Sequence, residues 1–145
     1  MKVALHGLAL KIEFLNDVKA LFTALQNHQF EIFVTEQFDR QLRIHGNTGL
    51  NYWLLDGTDD MSQMDFLISI GGDGTLLDSV CQVGEVETPI LGLNTGRLGF
   101  LATVSTDKID EAVRNLSENN YQIENRSLVS LDAKRKLFNG KSWWD

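Results

Sequence analysis

At 145 residues, 43% hydrophobic and 23% charged, the chain has the size and composition of one soluble globular domain with a sizeable core. Its net charge of −7 and pI near 4.9 argue against a nucleic-acid or anionic-membrane partner, because such surfaces recruit clustered Lys and Arg. No segment approaches the ~20 apolar residues of a membrane span, Val3 to Leu10 is too short and interrupted for a signal peptide, and the single cysteine, Cys81, allows no intrachain disulfide. A cytoplasmic protein is expected, with Cys81 as a small buried hydrophobe.

Lys2 to Gly7 reads as a buried strand ending in a glycine turn. Phe14, Leu15, Val18, Leu21, Phe22 and Leu25 then fall on one face of a helix that stops near Asn27-His28. Glu31 to Thr35 is a second strand, and strand, helix and strand in so short a span form a right-handed βαβ unit with parallel strands. From Glu36 to Asp60 the pattern weakens. Phe38, Leu42 and Ile44 suggest a short helix, Gly46-Asn47-Thr48-Gly49 a turn, and Tyr52 to Leu55 is ambiguous. His45 and Trp53 read as loop or minor core rather than pocket lining, and no histidine has metal-ligand spacing with Cys81.

The chain is organised around Asp65 to Thr75. Phe66 to Ile70 is short, β-branched and aromatic, as a doubly buried strand should be; Gly71-Gly72-Asp73-Gly74-Thr75 breaks it, and Leu76, Leu77 and Val80 have the spacing of a buried helical stripe. Glycines at 71, 72 and 74 permit φ > 0 and close approach of a ligand. The first N–H groups of the following helix lack intrahelical partners and lie at its positive end, so a phosphate would fit. Asp73 is then the anomaly. A carboxylate beside a phosphate is unfavourable unless it holds a divalent cation or takes a proton from an attacking hydroxyl; otherwise it is a helix N-cap. A Walker loop is excluded because no Lys occurs between Asp65 and Lys108, and the dinucleotide fingerprint fails because Leu77 stands where its third glycine belongs.

Gly84 supplies a helix stop, and Ile90 to Leu93 is another buried strand. Ligands of open parallel sheets gather at the carboxyl ends of the strands, so Asn94-Thr95-Gly96-Arg97 and the Gly71 loop should face one crevice. Thr106 or Asp107 caps a last helix with Ile109, Val113 and Leu116 inward. Beyond Tyr121, Val129, Leu131 and Ala133 alternate with polar residues and Asn139-Gly140 signals a hairpin, so antiparallel strands are expected before Trp143-Trp144.

The Gly-Gly-Asp-Gly-Thr loop resembles a signature shared by NAD kinases and the diacylglycerol and sphingosine lipid kinases. Asn94-Thr95-Gly96-Arg97-Leu98-Gly99-Phe100-Leu101 resembles the Asn-Thr-Gly-x-Leu-Gly-Phe-Leu motif of the NAD kinases specifically. The resemblance implies an N-terminal α/β domain over residues 1–125, a Rossmann-like parallel sheet flanked by helices. Residues 126–145 would then begin an all-β second domain that is truncated here. It implies transfer of the γ-phosphoryl group of ATP, or of inorganic polyphosphate, to the 2′-hydroxyl of the adenosine ribose of NAD, giving NADP, with NAD and NADH both open as acceptor. It places Asp73 as the proton acceptor, and Asp73, Gly74 and Phe100 against the dinucleotide. Gly71, Gly72, Gly74, Thr75, Asn94, Thr95, Gly96 and Arg97 would hold phosphate or nucleotide, with the role of Arg97 open. No protein metal site is indicated; with so few cations near the loop, Mg²⁺ or another divalent cation would arrive with ATP. A lipid kinase is disfavoured by Asn94-Thr95-Gly96 and by the lack of a basic membrane face, and a non-catalytic nucleotide-binding or oligomerisation module stands as the other alternative. The open edge of the final hairpin, beside two tryptophans, predicts a homo-oligomer, and the 145 residues alone are expected to be inactive.

Overall fold

The computed structural model describes residues 1–46, 49–55, 61–96, 99–102 and 104–128. The alternating run from Val129, the Asn139-Gly140 hairpin, Trp143-Trp144 and the Asn47-Thr48 half of the early turn lie outside those residues.

The first βαβ unit forms as its pattern dictates: β1 (Lys2–His6), α1 (Leu15–Asn27) and β2 (Glu31–Thr35). Helix α1 buries Val18, Leu21, Phe22, Ala24 and Leu25, and it ends where Gln29 turns left-handed (φ 59) and the Phe30 N–H returns to the Leu25 carbonyl at 3.0 Å. Thr35 closes β2 and starts the next helix at once, its hydroxyl accepting from the Phe38 N–H as the N-cap of α2 (Glu36–Ile44). Helix α2 is therefore longer than its apolar pattern suggested, and Ile44 is exposed rather than inward. The ambiguous stretch resolves as a three-residue strand, β3 (Trp53–Leu55), at the edge of the sheet, with Trp53 pointing to solvent.

The second half repeats the grammar with β4 (Phe66–Gly71), α3 (Asp73–Val83), β5 (Ile90–Asn94), β6 (Val104–Ser105) and α4 (Ile109–Ser117). All six residues of β4 are buried, as expected for a central parallel strand covered on both faces. Gly84 (φ 61) ends α3. Two expectations are corrected. The buried face of α3 is Thr75, Ser79 and Val83, while Leu77 is exposed and Leu76 and Val80 only half-buried; Cys81 is likewise exposed, because the helix rolls a polar row onto the sheet. Helix α4 buries Ile109, Val113 and Leu116, but no side chain caps it. Thr106–Lys108 forms a 3-10 turn at its start, and the Ser105 hydroxyl bonds Asp107 instead.

Every pairing in the six-stranded sheet is parallel, in the order β3-β2-β1-β4-β5-β6. This is a Rossmann-like α/β architecture. Helices α1 and α4 pack together over one face, where Val3, Leu5, Ile32, Val34, Phe66, Ile68, Ile70 and Leu93 meet them. Helix α3 lies over the other, on Ala4, Leu67 and Leu55. Residues 120–128 carry no regular structure; Tyr121 anchors them edge-on to Phe66, ring centroids 5.2 Å apart. Strand order reverses between β1 and β4, and in such sheets the loops at that switch point flank a crevice. No helix among the described residues is long and apolar enough to cross a membrane.

Candidate active site

The crevice loops grow directly out of β4 and β5. Gly71 and Asn94 are register partners, and the Thr95 N–H donates to the Gly71 carbonyl at 3.2 Å, so the two segments are joined at their roots. Asn94 is buried and folds its amide oxygen onto the Gly96 N–H at 2.8 Å, tightening the second turn. Gly71, Gly72, Asp73, Gly74 and Thr75 are thereby brought beside Asn94, Thr95 and Gly96. Arg97 lies outside the described residues.

Of the three glycines, Gly71 alone has a positive φ, +157°, and a Cβ there would meet Thr75 Oγ1 and Cβ at 2.3 and 2.7 Å. Gly72 is the extended N-cap of α3 and Gly74 is helical, and a Cβ on either would face open space. They leave the helix N-terminus bare instead of permitting an unusual backbone. That terminus offers N–H groups without intrahelical partners at the positive end of α3.

Asp73 is the first residue of α3, but it does not cap the helix. Its carboxylate reaches across to the other loop, where Oδ2 accepts from the Phe100 N–H at 2.9 Å and Oδ1 from the Leu101 and Ala102 N–H groups at 3.0 and 3.2 Å. These donors, Phe100 first, hold its carboxyl below the usual carboxylate range. Gly99 sits against the same carboxylate, and Phe100 is 95% exposed with its ring in solvent.

Beneath the Gly71 turn lies a polar cluster that the sequence reading missed. His6, fully buried at the end of β1, places Nδ1 2.9 Å from Thr35 Oγ1 and Nε2 2.8 Å from Asp78 Oδ2 on α3. Burial pushes the His6 pKa down, partly opposed by Asp78. The network is satisfied by the neutral Nε2–H tautomer: Nε2–H donates to Asp78, while Nδ1 accepts from the Thr35 hydroxyl that itself accepts from Phe38. Ser69, the register partner of His6, has a buried hydroxyl without a partner among the described residues. A histidine at a strand end was the one signal that could have flagged this cluster; nothing in the sequence points to Asp78. Further away, His45 donates its Nε2–H to the Leu10 carbonyl and Trp53 lies at the sheet edge, so neither lines the crevice. Among the described residues no three His, Cys, Asp or Glu side chains converge on a common point.

The sequence model of the ATP-NAD kinase N-terminal domain matches residues 9–121, a span that takes in both loops. The chain belongs to the ATP-NAD kinase family. It is 39% identical over 132 residues to the NAD kinase of Bacteroides fragilis and 36% identical over 140 residues to that of Cytophaga hutchinsonii. These alignments cover 90% and 95% of this chain but 45% and 48% of the relatives. The chain thus spans about half the length of the curated relatives it matches. Its fold is similar to the crystal structure of yeast NADH kinase complexed with NADH, with a TM-score of 0.62 at 18% identity over 81% of this chain and 36% of that one. In this ATP-NAD kinase domain the two resemblance motifs therefore sit at the carboxyl ends of the neighbouring strands β4 and β5, beside the switch point between β1 and β4, tied together by Asp73.

Proposed function

We propose that the chain is the nucleotide-binding half of an NAD kinase, working on ATP and NAD in the cytoplasm. The observation that carries the reading is the meeting of the two family motifs around one carboxylate, within the span matched by the family. In the proposed reaction the bond between the γ-phosphorus and the β–γ bridging oxygen of ATP breaks as the 2′-oxygen of the adenosine ribose of NAD bonds to that phosphorus. ADP leaves, and the proton of the 2′-hydroxyl passes to Asp73. The bare N-terminus of α3, with Gly71, Gly72, Gly74 and Thr75, and the turn from Asn94 to Gly96 would hold phosphate; Gly74 and Phe100 would meet the dinucleotide. In a loose phosphoryl transition state the proton leaves late, so a carboxylate of low basicity is adequate as acceptor. The described residues offer no ready cluster for a protein-bound cation, so Mg²⁺ would travel with the triphosphate of ATP and neutralise its charge there.

Edge strand β3 leaves Trp53 and Leu54 68% and 47% exposed, which supports association between copies. The chain alone would bind nucleotide without efficient turnover, since it spans about half of its relatives and a half-held acceptor loses effective molarity. A chimera tests the reading. Residues 1–121 replace the matching segment of the Bacteroides fragilis relative, and NADP is assayed with a strictly NADP-dependent dehydrogenase. NADP formation is expected; a folded chimera that makes none, beside an active parent, would refute the assignment.

A further inference from the structure

We propose that Asp73 is also a positioning residue, a clamp that fixes the backbone of Phe100 to Ala102 and leaves Oδ2 as the oxygen to which a substrate hydroxyl can bind. Three observations carry this. First, three consecutive N–H groups converge on one side chain from a loop 27 to 29 residues away, an arrangement that local chain geometry does not produce by default. Second, Gly99 has no room for a side chain. A Cβ there would lie 2.3 Å from Oδ1, 2.5 Å from Cγ and 2.6 Å from Oδ2 of Asp73, so a side chain at position 99 and the carboxylate in its three-amide seat exclude each other. Third, the two ends of the clamped run differ. Ala102 is buried where β5 passes so closely that a Cβ on Gly92 would meet its Cα at 2.8 Å, whereas the Phe100 ring is almost wholly in solvent. Side-chain packing therefore fixes the far end, and the backbone bonds to Asp73 fix Phe100.

A carboxylate offers about four lone-pair directions. Among the described residues Oδ1 uses two on Leu101 and Ala102, and Oδ2 uses one on Phe100, so the open direction belongs to Oδ2. The proton taken from a substrate hydroxyl would go to that atom, and the same event would weaken its hold on Phe100. Binding and loop order are thereby coupled. This last step rests on the proposed function; the clamp does not.

The test uses the 145-residue chain, isotope-labelled, without substrate. In the unaltered protein the Asp73 carboxyl and the amide protons of Phe100, Leu101 and Ala102 should titrate together. Amide exchange at residues 100–102 should become about tenfold faster or more in Asp73→Ala and in Gly99→Ala, whose Cβ expels the carboxylate while leaving it charged, with protection in β4 unchanged. Independent titration of the amides, or unaltered exchange in either variant with β4 intact, would overturn the clamp. Should a variant lose β4 protection, the titration in the unaltered protein decides alone. The chimera separates the two ideas: no NADP from the parent chimera with accelerated exchange in the variants strikes the kinase reading and keeps the clamp. In an active chimera Gly99→Ala should lower kcat and raise KM for NAD together, because the carboxylate and Phe100 are both displaced.

Discussion

Replacing His6 with glutamine should destabilise the fold at pH 7.5 and progressively less so as the pH falls. His6 is fully buried and uses both ring nitrogens, at 2.9 Å to Thr35 and 2.8 Å to Asp78. Glutamine can replace one of those bonds but not both, and leaving a buried polar group unpaired costs about 1–3 kcal/mol. For a chain of this length that lowers the melting temperature by roughly 3–10 °C. The pH dependence has a definite sign. Burial holds the folded His6 pKa below the 6.5 of the free side chain, so between those two values the unfolded chain binds more protons than the folded one. The His6 contribution is therefore complete above pH 6.5 and is lost as pH falls toward the folded value, at up to about 1.4 kcal/mol per pH unit. The charged or polar groups facing the ring are Asp78 from α3, Thr35 from the end of β2 and, in register on β4, Ser69. Urea unfolding of the parent and His6→Gln at half-unit steps from pH 7.5 to 5.5 measures the difference directly. It should shrink on acidification; a constant or growing difference would refute the neutral, desolvated imidazole.

In the active chimera, Asp73→Asn should lower NADP formation by about 10² or more, the scale of general-base loss, with a small change in melting temperature; near-normal turnover would remove Asp73 as the proton acceptor. Burial and the Asp39 carboxylate, 2.8 Å from its hydroxyl, push the Tyr52 pKa up to about 12. Its stabilising contribution should be complete below pH 10 and be lost progressively as pH rises from 10 to about 12. An ultraviolet titration should show a late phenol that Tyr52→Phe abolishes, and a single normal transition would count against the Asp39 contact. Gly7→Ala should cost about 1–3 kcal/mol in urea unfolding, because its Cβ would meet Phe38 Cδ2 at 2.7 Å and the Ile70 carbonyl at 3.1 Å in a packed core; an unchanged midpoint would show that Phe38 has room to move. Sedimentation velocity should detect self-association that Trp53→Lys weakens, and a monomer at all concentrations would rule out the β3 edge as a contact.

What was legible in the sequence was local. Strands β1, β2, β4 and β5 are short apolar runs whose length and flanking residues mark them without reference to partners, and α1 shows a clean 3.6-residue stripe. Strand β6 was invisible because it is two residues long and exists only through pairing with Leu93 and Asn94. Helix α3 was placed correctly but rolled wrongly. Its apolar spacing favours Leu76, Leu77 and Val80, yet Asp78 is held by a histidine 72 residues earlier, and that bond turns Thr75 and Ser79 inward. The two site motifs could be read singly, since each is a compact run of special residues. The bonds from Asp73 to Phe100, Leu101 and Ala102 could not, because their donors are backbone groups, which carry no letter in a sequence.

The order of the strands also dictates an order of assembly. Strands β1 and β2 can meet once a short loop closes, but β1 reaches its other neighbour, β4, only across a long excursion: Lys2 and Asp65, bonded at the start of that ladder, are 63 residues apart. Closing so large a loop is entropically costly before its contacts form, so the seam between β1 and β4 should be a late and slow event in folding. On a ribosome β1 must wait, half-paired, until β4 has emerged. The Gly71 loop, at the end of β4, meets its β1 neighbour only when that seam closes. A nucleotide seated there would bind the finished protein alone and so protect the seam most, slowing global unfolding while leaving the fraying of β3 untouched.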